Sequence, residues 1–129
     1  MSPTPLTLRW LPGRWAVCQL APDAPLPAWA VGGAWFSVTR TADELSLVCA
    51  EADAPETVRA ERGWQALQVA GPLEFSLVGI LAALTRPLAE AGVSVFAVST
   101  YDTDYLLVKA ERAAEAARVL RAAGHHVIE

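Results

Sequence analysis

The sequence has little charge and no excess of basic residues. Asp, Glu, Lys and Arg make up 19% of its 129 residues, and 14 acids against 10 bases give a net charge of −4. A mildly acidic chain lacks the excess of positive charge that binds a phosphate backbone, so we expect no nucleic-acid partner. No apolar run approaches the ~18 residues that a membrane span needs. The first residues, MSPTPLTLRW, also lack the basic start and sustained apolar stretch of a signal peptide. We therefore expect a cytoplasmic protein with no membrane partner.

Cysteine and histidine are scarce, with two of each. Cys18 and Cys49 lie in the strand-like runs WAVCQL and LSLVCA, which favours two buried thiols that pack as small apolar groups. A disulfide has no support, because nothing in the sequence indicates an oxidising compartment. His125 and His126 are adjacent in a predicted strand, so alternation directs them to opposite faces. No CxxC or HxxxH spacing accompanies them, and we expect neither a metal site nor a cofactor.

Apolar residues are plentiful, at 53% of the chain, which excludes disorder. The first half is rich in short strands and turns, and all five tryptophans lie at or before Trp64. Apolar runs on both sides of Pro12-Gly13 predict one hairpin, and a second pair of runs predicts another. A polar stretch, residues 51–63, then separates the halves. The predicted strands are Leu6–Trp10 with Trp15–Leu20, and Trp35–Arg40 with Glu44–Ala50.

The second half has clearer periodicity. Residues 64–70 alternate as in a strand, and apolar residues from about Ser76 to Ala91 recur at helical spacing. Pro87 falls inside this helix and is expected to kink it or end it early. Two strands, residues 93–99 and 105–109, precede a second helix from Glu111 to Ala123, and a last strand follows. The order strand, helix, strand, strand, helix, strand is that of the ferredoxin-like unit.

The first half contains the strands of such a unit with its first helix shortened. We therefore predict an α+β fold of two ferredoxin-like modules, packed side by side at their sheet edges. Residues 1–63 form the degenerate module and residues 64–129 the complete one. Neither half alone is large enough to bury a convincing core, so we expect one cooperative folding unit.

The segment FSLVGILAALTRPLAEAGVSVFAVSTYDTDYLLVKAERAAEAARVL resembles an ACT domain. More narrowly, the sequence is similar to small tandem-ACT proteins related to the regulatory ends of aspartate kinases and to CASTOR-type arginine sensors. The first half resembles the family through FSVTRTADELSLVCAE and RGWQALQVAGPL, so the resemblance covers nearly the whole chain. In this family the ACT units are regulatory modules that bind amino acids where neighbouring units meet. The resemblance therefore implies a sensor of a free amino acid, and any enzyme that it regulates would be a separate chain.

A free amino acid needs a partner for its carboxylate and another for its ammonium group. The start of the first helix presents unpaired backbone N–H groups, which suit a carboxylate. Gly79 in its first turn either lets a ligand approach the backbone or lets the helix pack closely on a sheet. Asp102 and Asp104 suit the ammonium group or a basic side chain, although the same D-T-D sequence is also typical of a solvated hairpin turn. The predicted ligand-binding residues are Ser76, Val78, Gly79, Ile80, Ser99, Thr100, Asp102, Thr103 and Asp104.

Two other classes of function remain to be compared. An enzyme is disfavoured, because no Cys–His or Ser–His pair has a convincing context and no glycine loop cradles a phosphate. Acylphosphatase-like chemistry would require an arginine in the loop GPLEFSLVG, which has none. The second alternative is a ligand-free module that uses exposed sheet edges to bind a protein partner. We expect a homodimer in either case.

Overall fold

The computed structural model describes residues 5–71, 73 and 78–129. The chain forms two compact units, which are not consecutive in sequence. The helical unit comprises the chain up to Pro12 together with Gln65–Glu129, and the β unit comprises Gly13–Trp64. The predicted boundary after residue 63 lies next to the second of these division points. Residues 5–12, however, group with the second half of the chain and not with the first half.

The helical unit has a mixed sheet in the order β6-β7-β5-β1-β8. Strand β1 lies between β5 and β8: it pairs antiparallel with β5 and parallel with β8, and Leu8 stands opposite both Val69 and Val127. From β5 onward the order is strand, helix, strand, strand, helix, strand, which confirms the predicted α+β, ferredoxin-like fold. The elements are β1 (Thr7–Trp10), β5 (Arg59–Val69), α1 (Ile80–Glu90), β6 (Phe96–Ser99), β7 (Asp104–Lys109), α2 (Ala113–Ala122) and β8 (His126–Ile128).

Both helices bury their predicted apolar stripes in the core of this unit. Leu84 and Leu88 of α1 and Leu120 of α2 have no exposed surface, and they pack with Leu8, Val69 and Val108 of the sheet. A fully buried leucine contributes roughly 1.5–3 kcal/mol relative to an exposed one. No helix among the described residues is long and apolar enough to cross a membrane.

Helix α1 departs from its predicted course at its start. It begins at Ile80 and not near Ser76, which lies outside the described residues. Pro87 does not end it, since the helix continues to Glu90. The end comes at Gly92, whose φ of 74° is unfavourable for other residues, and the Val93 N–H donates to the Leu88 carbonyl at 2.9 Å. Helix α2 is also slightly shorter than predicted, because residues 110–112 form a 3-10 turn before it.

The β unit is an antiparallel sheet in the order β3-β4-β2-β5, to which β5 contributes its first residues. Its own strands are β2 (Trp15–Leu20), β3 (Ser37–Arg40) and β4 (Leu45–Ala50). The predicted second hairpin is confirmed: Arg40 faces Leu45, and the Thr41 N–H donates to the Glu44 carbonyl at 2.9 Å. Only a three-residue 3-10 turn, Ala28–Ala30, occupies the place of the first helix among the described residues.

Two sequence predictions about strands are wrong. The predicted first hairpin does not form, because β1 pairs with β5 and β8 whereas β2 pairs with β4 and β5. The strand predicted at residues 64–70 starts too late, since β5 already begins at Arg59, within the polar stretch. Both errors have one cause: β5 is an 11-residue strand that offers each of the two early strands a separate partner segment.

Candidate functional site

An open cavity of about 470 Å³ lies in the helical unit, between the start of α1 and the β6–β7 hairpin. One side is formed by Leu73 and the first residues of α1, and the other by the chain from Ser99 to Asp104. The first side is mainly apolar and the second carries hydroxyl and carboxylate groups. The lining residues are Leu73, Gly79, Ile80, Leu81, Ala82, Ser99, Thr100, Tyr101, Asp102, Thr103 and Asp104.

Most of the sequence-predicted ligand-binding residues lie around this one cavity. Val78 does not line it and is 93% exposed, and Ser76 lies outside the described residues. Sequence reasoning missed Leu73, Leu81, Ala82 and Tyr101. The last three adjoin predicted residues in the chain, but nothing local marks Leu73. The predicted residues that line the cavity are Gly79, Ile80, Ser99, Thr100, Asp102, Thr103 and Asp104.

The start of α1 supplies hydrogen-bond donors beside the cavity. The Ala83 N–H donates to the Gly79 carbonyl at 2.8 Å, which is the first hydrogen bond of the helix. The N–H groups of Ile80, Leu81 and Ala82 precede it and have no partner within the helix. All three residues line the cavity. This end of the helix also carries the partial positive charge of the helix dipole, so it favours an anionic group.

Gly79 precedes the helix and does not lie inside its first turn. Its φ of 81° is in the left-handed region, where a side chain is strained, and a Cβ there would meet no atom of the described residues within 4 Å. Close packing on a sheet therefore does not explain why a glycine occupies this position. The left-handed backbone conformation that precedes the helix explains it.

The β6–β7 connection is a tight hairpin held by its own hydroxyl groups. Ser99 faces Asp104 across the two strands, and the Ser99 hydroxyl donates to Asp104 Oδ1 at 2.6 Å. Across the turn, the Thr100 N–H and hydroxyl donate to the Thr103 carbonyl at 2.8 and 3.1 Å. Asp102 is exposed and Asp104 is half-buried. The D-T-D sequence is thus a hairpin turn and also a wall of the cavity.

The same turn is fixed to the end of β5 by buried contacts. The Thr103 side chain is 6% exposed, and its hydroxyl donates to the Val69 carbonyl at 2.6 Å. The Leu73 N–H donates to the Asp102 carbonyl at 2.7 Å. Gly71 lies so close that a Cβ on it would be 3.0 Å from the Asp102 oxygen and 3.2 Å from the Thr103 Cβ. The sequence indicated Gly71 only as the end of a strand.

The cavity is acidic and polar on its hairpin side. Asp102 and Asp104 are the charged residues among those that line it, and the described lining residues include no Lys, Arg or His. A carboxylate has about four acceptor positions, and the Ser99 hydroxyl uses one of those of Asp104. The arrangement combines donors for an anion with acceptors for a cation, which is the pattern that a zwitterion requires.

The histidines and cysteines do not form a metal site among the described residues, where no three His, Cys, Asp or Glu groups cluster suitably. His125 is buried and His126 exposed, as alternation predicts, and His125 Nδ1 accepts the Leu6 N–H at 3.1 Å. Cys18 and Cys49 are buried free thiols in the core of the β unit. Burial raises the pKa of both, that of Cys49 to about 12. High thiol pKa values make these cysteines poor nucleophiles.

A family model described as an ACT domain matches residues 59–122, which include every residue that lines the cavity. The chain is an ACT-domain protein. A second model, described as an N-terminal domain, matches residues 13–57. A crystal structure of a protein from Agobacterium tumefaciens is 37% identical in sequence, with a TM-score of 0.93 over 98% of this chain and 94% of that one. No protein of curated function matches.

More distant solved structures share the ACT-type fold. A Vibrio cholerae protein of unknown function, described as a possible transport protein, is 21% identical with a TM-score of 0.75, over 92% of this chain and 89% of that one. The regulatory subunit of aspartate kinase from Thermus flavus is 13% identical with a TM-score of 0.62, over 95% and 99% of the two chains. At such identities the likeness shows the fold alone. Membership of the ACT family makes this chain a regulatory, ligand-binding type of domain in general.

Proposed function

We propose that this chain senses a free amino acid, which binds in the cavity between α1 and the β6–β7 hairpin. The observation that carries the proposal is the meeting of two opposite chemistries on one cavity. Ile80 to Ala82, whose backbone N–H groups begin the helix, line one side, and the acidic residues Asp102 and Asp104 line the other. The similarity to the Agobacterium tumefaciens protein and the ACT match are consistent with this proposal, but neither identifies a ligand.

In the proposed complex, the carboxylate of the ligand accepts hydrogen bonds from the N–H groups that begin α1. Its ammonium group donates to Asp104, whose carboxylate the Ser99 hydroxyl already orients. Three or four hydrogen bonds to charged groups contribute ~1.5–3 kcal/mol each. The cost of ordering the ligand and the site reduces that sum. The resulting dissociation constant is on the order of micromolar to sub-millimolar, a range suited to a metabolite sensor.

We further propose that the protein is a cytoplasmic homodimer and that it regulates another protein in trans. The exposure of apolar surface beside the cavity supports the dimer. Val78 is 93% exposed next to Gly79, and Tyr101, which lines the cavity, is 81% exposed. In ACT proteins amino acids bind where neighbouring units meet, and a second copy would cover these side chains. Light scattering after size exclusion should give twice the mass of the chain, whereas a monomer at all concentrations would contradict the dimer.

The test of ligand binding uses the protein as purified. Native mass spectrometry should show a bound small mass, and a thermal-shift screen of the proteinogenic L-amino acids, each added singly, should raise the melting temperature with one or a few of them. Binding stabilises the folded protein in proportion to the logarithm of ligand concentration over the dissociation constant. If no amino acid shifts the melting temperature and no mass co-purifies, the sensor proposal is wrong.

That negative result would favour a second function, a ligand-free interaction module. Its support is exposed apolar surface on the β unit, where Phe36 and Val38 are each 38% exposed and Val38 belongs to the edge strand β3. An edge strand with an apolar outer residue can pair with a strand of another protein. The amino-acid screen separates the two functions, because the module requires no small molecule.

A further inference from the structure

We propose that Thr103 and Gly71 are positioning residues for the candidate site, and that they make the β6–β7 turn a rigid extension of β5. This inference rests on the proposed function, because it assigns these residues to ligand binding. Neither residue offers a new charge to the ligand. Their role follows from how they hold Asp102 and Asp104 in place.

The Thr103 side chain is turned away from solvent. Only 6% of it is exposed, and its hydroxyl donates to the Val69 carbonyl at 2.6 Å, in the last residue of β5. Val69 already stands opposite Leu8 of β1, in the middle of the sheet order of this unit. The turn is therefore attached to a fully buried residue in the middle of the sheet.

The Gly71 contact holds the neighbouring residue of the same turn. The Leu73 N–H donates to the Asp102 carbonyl at 2.7 Å, and Gly71 leaves no room for a Cβ beside that oxygen. The Asp102 carbonyl oxygen is thus fixed both by a hydrogen bond and by the close approach of Gly71. A preorganised carboxylate binds a cation more tightly than a mobile one, since less conformational entropy is lost.

Through the Thr103 hydrogen bond, ligand binding at the turn can also restrain residues of the sheet. Ordering of Asp102 or Asp104 by a ligand would restrain the turn, and the turn is bonded to β5 through Thr103. Strand β5 continues without interruption from Val69 back to Arg59, where its residues pair with β2. We therefore expect binding to slow hydrogen exchange at Leu67 to Val69, beyond the residues that touch the ligand.

Two variants test this role without changing either carboxylate of the site. Thr103→Val keeps the shape of the side chain and deletes the hydroxyl, whereas Gly71→Ala keeps every polar group and pushes on the Asp102 oxygen. The ligand is an equimolar mixture of the proteinogenic L-amino acids, and the affinity is measured as the mixture concentration that gives half of the maximal thermal shift. Both variants should weaken binding by about ten-fold, which corresponds to about 1.4 kcal/mol. Thr103→Ser restores the hydroxyl and should bind within about two-fold of the wild type.

The controls are Thr39→Val on the exposed face of β3 and Gly33→Ala, where a Cβ would meet its nearest atoms only at 3.8 Å. Both should bind as the wild type does. Hydrogen exchange of the ligand-free protein supplies a second readout: Thr103→Val should speed exchange of the Leu73 N–H about ten-fold and leave α2 unchanged.

The outcomes separate the two proposals. If the wild type responds to the mixture and Thr103→Val responds equally, the positioning role is wrong while the sensor function stands. Unchanged exchange at Leu73 in Thr103→Val also overturns the positioning role, with no ligand involved. A wild type that does not respond at all overturns the sensor function and, with it, the assignment of these residues to ligand binding.

Discussion

The two carboxylates of the cavity differ in how the protein holds them. Asp104 is half-buried at the first position of β7, and the Ser99 hydroxyl donates to one of its oxygens at 2.6 Å. Asp102 is exposed in the turn, and its backbone is the part that is fixed, through the Leu73 N–H. Asp104 is therefore the better oriented partner for an ammonium group, and the effect of its loss should be the larger of the two.

Replacement of Asp104 by Asn tests this directly. The change keeps the shape and a hydrogen-bonding side chain but removes the negative charge. Loss of one charge-assisted bond of ~1.5–3 kcal/mol should weaken amino-acid binding by roughly ten- to 100-fold. Calorimetric titration with the amino acid that gives the largest thermal shift measures the affinity.

Asp43→Asn is the matched control for that experiment. Asp43 is exposed in the β3–β4 turn of the other unit, so its variant should bind as the wild type does. Equal affinities for the Asp104→Asn variant and the wild type would remove this carboxylate from the site. Gly79→Val would be a poor substitute test, because the left-handed backbone at Gly79 strains any side chain.

The buried thiols predict how stability changes with pH. Burial raises the pKa of Cys49 to about 12, from an ordinary value of 9.0, and the neighbouring Cys18 adds to the shift. Between these values the unfolded chain loses the thiol proton while the folded protein keeps it. Stability should therefore be unaffected by this group below pH 9 and should fall as the pH rises from 9 toward 12.

Urea unfolding at a series of pH values measures that decrease. A variant with both Cys18→Ala and Cys49→Ala has no such thiols and should show a shallower loss of stability over the same range. The two proteins differ only at positions 18 and 49, so the difference between the pH dependences of the two curves reports the thiols alone. Superimposable pH profiles would contradict the burial argument.

At the scale of elements, α1 contains the clearest conflict between local preference and the fold. Pro87 has no N–H to donate to the Ala83 carbonyl, yet the helix continues three residues beyond it. Burial of Leu84 and Leu88, which have no exposed surface, favours the helix on both sides of the proline. Tertiary packing therefore outweighs the local cost.

Pro87→Ala should stabilise the protein for that reason. Restoring the missing hydrogen bond and removing the ring clash should raise the free energy of unfolding by up to about 3 kcal/mol, as measured by urea denaturation. Arg86→Ala, at an exposed position of the same helix, should change it by no more than about 0.5 kcal/mol. An unchanged or lower stability of Pro87→Ala would show that α1 has adapted to the proline.

The pairing of β5 explains why the partners of some strands could be predicted from the sequence and those of others could not. The β3–β4 hairpin follows from local signals, since a four-residue turn joins the two strands and the Thr41 hydroxyl accepts a hydrogen bond across it. The β1 and β2 runs were also predicted as strands, but their partners were not. A turn signal such as Pro12-Gly13 reverses the chain without deciding what pairs with it, and the partner residues of both strands in β5 lie forty or more residues away.

At the scale of the whole molecule, the signals of the two units can be measured separately. Both α-helices belong to the helical unit, whereas Trp15, Trp29, Trp35 and Trp64 belong to the β unit. Helical circular dichroism thus reports one unit and tryptophan fluorescence mainly the other. Because β5 contributes residues to both, we expect a single cooperative transition.

Thermal and urea unfolding followed by both signals test that expectation. The two curves should coincide, which is the criterion for two-state unfolding. Trp10 is the tryptophan of the helical unit, so a Trp10→Phe variant restricts the fluorescence to the β unit and serves as the control. Separate midpoints in that variant would show that the units unfold independently.

The sequence by itself determined the periodic elements, the α+β class, the ACT resemblance and the local parts of the cavity. Gly79–Ile80 and Ser99–Asp104 were recognisable because the residues of each segment are neighbours in the chain, so local chemistry indicates them. Only the tertiary structure decided the place of β1, the full length of β5, and the contacts of Gly71, Leu73 and Thr103 with the turn. Those contacts join distant segments, and their selection depends on burial and packing across the whole unit, which no local pattern records.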